Sequence, residues 1–135
     1  MQVIERVFLL QRVDIFANTP SQHLARIALL THEVEADEGA VLLHADQPAD
    51  AMYVVIDGEL RASFKGSSTA VVAGEAVGAL ALLDDMPFAL DVRATKVSRL
   101  LRLTKRDLDD LLHDYPDLAV SLLHGMAARL RGMVS

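Results

Sequence analysis

Between His32 and Leu103 the chain reads as short apolar stretches cut at close intervals by turn residues, which leaves little room for anything but a β architecture. Val34 and Ala36 alternate with Glu33, Glu35 and Asp37, the pattern of a strand with one wet face. Glu38-Gly39 turns the chain into an apolar strand over residues 40–44, and a loop containing Pro48 follows. Met52–Ile56 reads as a buried strand. Asp57-Gly58 has the composition of a tight hairpin, with Glu59–Phe64 as the returning strand. Lys65–Thr69 is a polar tip, and further strands are expected over residues 70–73, 90–95 and 98–103. Seven or eight short strands at this spacing predict a sandwich or barrel.

Helices are expected on either side of this region. In residues 1–31, Val3, Ile4, Val7, Phe8 and Leu10 recur at helical spacing. This helix either docks on the domain's own core or joins it to something upstream. Thr19-Pro20-Ser21-Gln22 then has a capping hydroxyl, a proline for the first turn and a glutamine three residues after the cap. In residues 104–135, Thr104-Lys105-Arg106-Asp107 is a capping box, and Asp114-Tyr115-Pro116 separates two helices. Leu118, Leu122, Met126, Leu130 and Met133 stripe the last helix, whose end carries Arg129 and Arg131. With 135 residues there is enough chain for one domain and its core. The expected organisation is a single unit over 1–135, as one piece of a larger polypeptide.

Charge and residue chemistry exclude several functions. A net charge of −6 argues against a nucleic-acid partner, which requires a phosphate-neutralising surface. Cysteine is absent, so disulfides, thiolate metal sites and thiol catalysis are excluded. No apolar run approaches the ~20 residues of a membrane span, and the N-terminal stretch does not read as a signal peptide. A cytoplasmic setting, alone or as the cytoplasmic part of a membrane-associated protein, is expected. His23, His32, His44, His113 and His124 show no ligand spacing, so no metal is expected. Asp84 and Asp85 read as helix breakers. No Walker loop or nucleophile–base pattern is present, and no enzyme activity is expected.

The stretch 73–94, A-G-E-A-V-G-A-L-A-L-L-D-D-M-P-F-A-L-D-V-R-A, has two turn glycines, a short helical run over Ala79–Leu83, a break at Met86-Pro87 and a strand. A turn opening on a glycine leaves backbone N–H groups able to face a phosphate. It resembles the phosphate-binding cassette of cyclic-nucleotide-binding domains, whose pattern runs F-G-E-x-A-L, spacer, P-R, a small residue and alanine, then a strand. Residues 49–58, A-D-A-M-Y-V-V-I-D-G, are similar to the family's D-x-[LM]-Y-x-[IV]-x-x-G, and Glu38-Gly39 and Arg99–Leu103 also match. The resemblance covers nearly the whole chain. It implies a mainly β fold with flanking α-helices: an eight-stranded, jelly-roll-like Greek-key β-roll over 32–103, with the cassette at 74–94.

The resemblance also marks what this chain lacks. The family holds the ribose hydroxyl with a Glu after the cassette glycine and grips the cyclic phosphate with an Arg after the cassette proline. Those positions are Ala79 and Phe88 here, and Ala89 stands where a small polar residue often follows. Charge-assisted contacts are worth roughly 1.5–3 kcal/mol each, so losing both weakens binding by about two to four decades. Arg93 has the parity of Asp91 and Thr95 and is expected to face solvent. The candidate ligand residues are therefore Gly78, Ala79, Leu80, Phe88 and Ala89, with Met52, Val54 and Leu90 lining the pocket. The expected function is a non-catalytic regulatory or interaction module that does not bind cAMP or cGMP in the usual way and needs no cofactor. Its partner is a protein, or a second copy, reached through the C-terminal helix. The alternative is a sensor of a cyclic nucleotide or other small ligand that regulates a fused transporter or signalling protein. A DNA-binding regulator would require a basic reading helix beyond these residues.

Overall fold

The computed structural model of the chain describes residues 1–84, 86 and 89–134. Eight strands form two four-stranded antiparallel sheets: β1 (His32–Ala36), β2 (Val41–Leu43), β3 (Ala51–Asp57), β4 (Glu59–Phe64), β5 (Ser67–Val72), β6 (Ala76–Val77), β7 (Asp91–Ala94) and β8 (Ser98–Thr104). One sheet has the order β1-β8-β3-β6, the other β2-β7-β4-β5. Four α-helices flank them: α1 (Val3–Gln11), α2 (Ser21–Leu30), α3 (Lys105–Asp114) and α4 (Pro116–Val134). Single 3-10 turns occupy Asp14–Phe16 and Leu80–Leu82. This is the expected mainly β roll with helices on either side.

Two cores share one wall. Between the sheets, Tyr53, Val55, Leu60, Ala62, Val92, Ala94 and Leu100 interdigitate. On the far side of the β1-β8-β3-β6 sheet, Met52, Val54, Leu101 and Leu103 pack under Leu10, Ile15, Phe16, Leu24, Ile27, Leu108 and Leu118 from the helical layer. β3 is the common wall: residues 51–55 are all buried, with odd positions facing the roll and even positions the helices. Burial on both faces removes the alternation that marks a half-exposed strand.

Four local expectations are corrected. Asp57-Gly58 does not close a hairpin, because β3 and β4 lie in different sheets. Gly58, at φ 108°, passes directly over Ser98, and the chain crosses from one sheet to the other there. The Ser98 hydroxyl accepts from Glu59 N at 3.1 Å and pins that corner. The hairpin is instead at Lys65-Gly66, where positive φ at both residues (46° and 84°) makes a two-residue turn. β5 therefore starts at Ser67 and pairs Ser67 with Phe64, so most of the polar tip is strand. β6, only two residues long, was too short to give a periodic signal and pairs Tyr53 with Val77. Thr19 does not cap α2: Pro20 stands at the N-cap, its carbonyl accepting from His23 and Leu24 N–H, and Thr19 Oγ1 is buried without a partner among the described residues.

α3 starts as expected, with Thr104 Oγ1 accepting from Asp107 N at 3.1 Å. α4 lies across the 3-10 turn at residues 14–16, and a Cβ at Gly125 would sit 2.5 Å from the Ile15 carbonyl oxygen. Only the first half of its apolar stripe is covered. Leu118 and Leu122 are buried, whereas Leu130, Met133 and Val134 are exposed.

A polar pin ties α2 to the start of α4. Arg26 Nη1 donates to His23 Nδ1 at 3.0 Å and stacks over the Tyr115 ring at 4.1 Å. A guanidinium can only donate, so His23 Nδ1 is the acceptor, and Nε2 carries the proton it donates to Asp117 Oδ2 at 2.9 Å. That hydrogen bond holds the Asp117 carboxyl below its ordinary value, against a smaller opposing effect of desolvation. A carboxyl depressed in the folded state contributes stability above its unfolded value and loses it as pH falls through the folded one. Asp117→Asn is therefore expected to lower the melting temperature slightly near neutral pH. The difference should close below about pH 4 in melts followed by circular dichroism.

Candidate ligand-binding site

The cassette is built by a return of the chain against β3. Gly74 N donates to Val55 O at 2.8 Å, and Val55 N to Glu75 O at 2.9 Å. The Glu75 carboxylate turns back on its own loop, accepting from Val72 N at 2.9 Å. Gly78 follows β6 at φ 84°. A Cβ there would lie 3.0 Å from Ala51 O and 3.4 Å from Met52 Cα. A side chain would push the cassette off β3. Beyond it, Leu82 N reaches Ala79 O at 3.3 Å and Leu83 N reaches Leu80 O at 3.0 Å, closing a single 3-10 turn where a short helix was expected. Lys105, the first residue of α3, donates through Nζ to Leu82 O at 2.9 Å and Asp84 O at 3.1 Å, fastening the end of that turn to the helical layer.

Of the candidate residues, Gly78, Ala79, Leu80 and Leu90 come together around one cavity of about 220 Å³, with Ala76, Val77 and, from α4, Arg129. Ala89 is exposed and does not line it. Phe88 lies outside the described residues. Met52 and Val54 are corrected: they sit in the core under the helices, because β3 turns its even positions away from the roll, and Tyr53 and Val55 face the interior instead. Arg93 is exposed, as its parity predicted, while its neighbours Val92 and Ala94 are buried.

A second cleft of about 410 Å³ adjoins the first through Ala76, Ala79 and Arg129 and continues to Arg12, Asp14 and Gly74. The Arg12 guanidinium lies against Gly74, and a Cβ there would meet its Cζ at 2.6 Å. Arg129 Nη1 stands 3.6 Å from Asp14 Oδ2. Sequence reasoning missed both arginines at this place. Arg129 is 51 residues from Gly78, the cassette glycine that it borders; a local trace of its placement is Gly125, a small residue on the face of α4 that meets the turn. Among the described residues no group of three His, Cys, Asp or Glu side chains could hold a metal ion. No helix among them is long and apolar enough to cross a membrane.

The geometry has clear relatives. The N-terminal domain of a transcriptional regulator from Streptomyces coelicolor superposes with a TM-score of 0.79 at 30% identity, covering 93% of this chain and 92% of that one. An uncharacterized NTE family protein of Mycobacterium tuberculosis is 29% identical over 124 residues, which are 90% of this chain and 21% of that protein. The cAMP-dependent protein kinase regulatory subunit of Emericella nidulans is 32% identical over 99 residues, 69% of this chain and 24% of that protein. The chain thus spans only about a fifth to a quarter of the length of these two curated relatives. Residues 33–115, from β1 through the cassette to the end of α3, match the sequence pattern of the cyclic nucleotide-binding domain. A roll of two four-stranded sheets, a glycine-turned cassette laid against β3 and this match over most of the chain together place it in the cyclic nucleotide-binding domain family.

Proposed function

We propose that the chain is a non-catalytic regulatory or interaction module that keeps the family's scaffold but does not grip a cyclic phosphate in the usual way. The observation that carries this reading is the make-up of the cavity beside Gly78. Its described lining is apolar apart from Arg129, which is already engaged with Asp14, and Ala79 offers a methyl group at the ribose-binding position. Arg93, the one arginine in β7, is on the opposite face of that strand. Calorimetric titration with cAMP and cGMP tests the reading. No binding is expected below ~100 μM, or about −5.5 kcal/mol; a tighter dissociation constant overturns it.

In this reading the module works on the cytoplasmic side, as one segment of a longer polypeptide and without a cofactor. The kinase regulatory subunit and the NTE family protein, each about four to five times longer than the stretch they share with this chain, support that arrangement. Its partner is a protein surface or a second copy, contacted by the uncovered end of α4 at Leu130, Met133 and Val134. One observation favours a second reading, a sensor of an anionic effector: Arg129 reaches the cassette from α4, where a ligand could draw it away from Asp14.

A further inference from the structure

We propose that the outer face of the β2-β7-β4-β5 sheet carries an anion site separate from the cassette, which takes a phosphoryl group, as inorganic phosphate or a small phosphate monoester, between Arg61 and Arg93. The two arginines are direct cross-strand partners, Arg61 on β4 opposite Arg93 on β7. Both are exposed, on the side of the sheet away from buried Leu60, Ala62, Val92 and Ala94. Like charges placed opposite each other on antiparallel strands repel. The chain has 19 acidic residues against 13 basic ones, so this pair does not reflect a general basic excess.

The surroundings compensate the repulsion only in part. Among the described residues, neither guanidinium has a carboxylate within ion-pairing distance. Asp91 is close by, but its Oδ1 accepts from Ala45 N at 2.8 Å. Arg61 Nη1 donates to Ser68 Oγ at 3.0 Å on the neighbouring β5, and the Arg93 guanidinium makes no hydrogen bond to any described residue. Around them is a concavity of about 420 Å³, lined by Val41, His44, Arg61, Ser63, Asp91 and Arg93. That volume is within the range of small-molecule sites.

The donor set favours a phosphoryl group over a carboxylate. One guanidinium fork satisfies both oxygens of a carboxylate, leaving the second arginine without a partner. A phosphate monoester has three terminal oxygens and a charge of about −1.5 to −2, enough to engage both forks, with the Ser63 hydroxyl and His44 imidazole at the edge. Asp91, the one acid in the described lining, can accept a hydroxyl from the rest of an ester. Because β7 turns Val92 and Ala94 inward and Arg93 outward, this site and the cassette cavity lie on opposite faces of the same strand.

The test uses the chain as it stands, in phosphate-free buffer of low ionic strength, followed by amide NMR spectra during titration with inorganic phosphate, O-phosphoserine or acetate. Phosphate and phosphoserine are expected to produce saturable shifts confined to residues 41–45, 61–63 and 91–93. Acetate is expected not to saturate. Arg93→Gln is expected to weaken phosphate at least tenfold and to melt at the same temperature as the parent or higher, since relieving the like-charge contact costs the fold nothing. The proposal is overturned by an absence of saturation, by unchanged affinity in Arg93→Gln, or by acetate binding as tightly as phosphate. Sedimentation of the chain with phosphatidic-acid vesicles without any response to soluble phosphoserine also overturns it, since the recognised surface would then be a membrane.

Discussion

The double variant Ala79→Glu, Phe88→Arg is expected to bind cAMP about a hundredfold to ten-thousandfold more tightly than the parent. Each restored contact is charge-assisted and worth roughly 1.5–3 kcal/mol, and the two act on different parts of the nucleotide, ribose and cyclic phosphate. The backbone that would present the glutamate is in place: Gly78 keeps the cassette against Ala51, and Ala79 borders the cavity. The single variants separate the two contributions. Glu at residue 79 would also border the neighbouring cleft and compete with Asp14 for Arg129, so Ala79→Glu alone is expected to gain less than Phe88→Arg alone. Calorimetry on all four proteins closes the cycle. If the double variant binds no better than the parent, the alignment of these residues with the family's cassette is wrong.

The largest loss of stability is expected at the corner between β3 and β4. Gly58→Ala places a methyl group 2.6 Å from Ser98 Cβ and 2.7 Å from Ser98 Cα, on a backbone held at φ 108°. The left-handed conformation costs an alanine roughly 1–2 kcal/mol, and forcing atoms into a filled site typically costs about 1–3 more. At about 4 °C per kcal/mol for a chain of this size, the melting temperature falls by roughly 8–20 °C. Gly39→Ala is the control, since Gly39 has φ 87° but nothing within 4 Å of its would-be Cβ. It is expected to lose only the conformational part. Equal losses in the two variants would show that Ser98 can yield and that the corner is not tightly packed.

How much of this could be read from the residues depends on whether the signal is local. β1 was legible because Glu33 and Glu35 are in water while Val34 and Ala36 turn inward, and α3 because Thr104 and Asp107 meet within one turn. The cassette glycines were legible through their spacing. The assignment of strands to sheets was not. Asp57-Gly58 has hairpin composition, but what decides its path is the Ser98 contact, 40 residues downstream. Met52 and Val54 were placed in the pocket because a strand buried on both faces has no alternation to fix its parity. Arg12 and Arg129 reach the cassette only through the docking of α1 and α4, which no spacing within either helix encodes.

The double burial of β3 gives mutational data on this domain an unusual grain. Five consecutive positions, Ala51 to Val55, report in turn on two separate packing problems. Lesions at Tyr53 and Val55 disturb the barrel interior, and lesions at Met52 and Val54 loosen the grip on the helices. A signal that shifts the helices by repacking even positions must strain a backbone whose odd positions are locked into the other layer. The helical layer and the inter-sheet core therefore share one backbone, and a substitution that moves it is expected to loosen both.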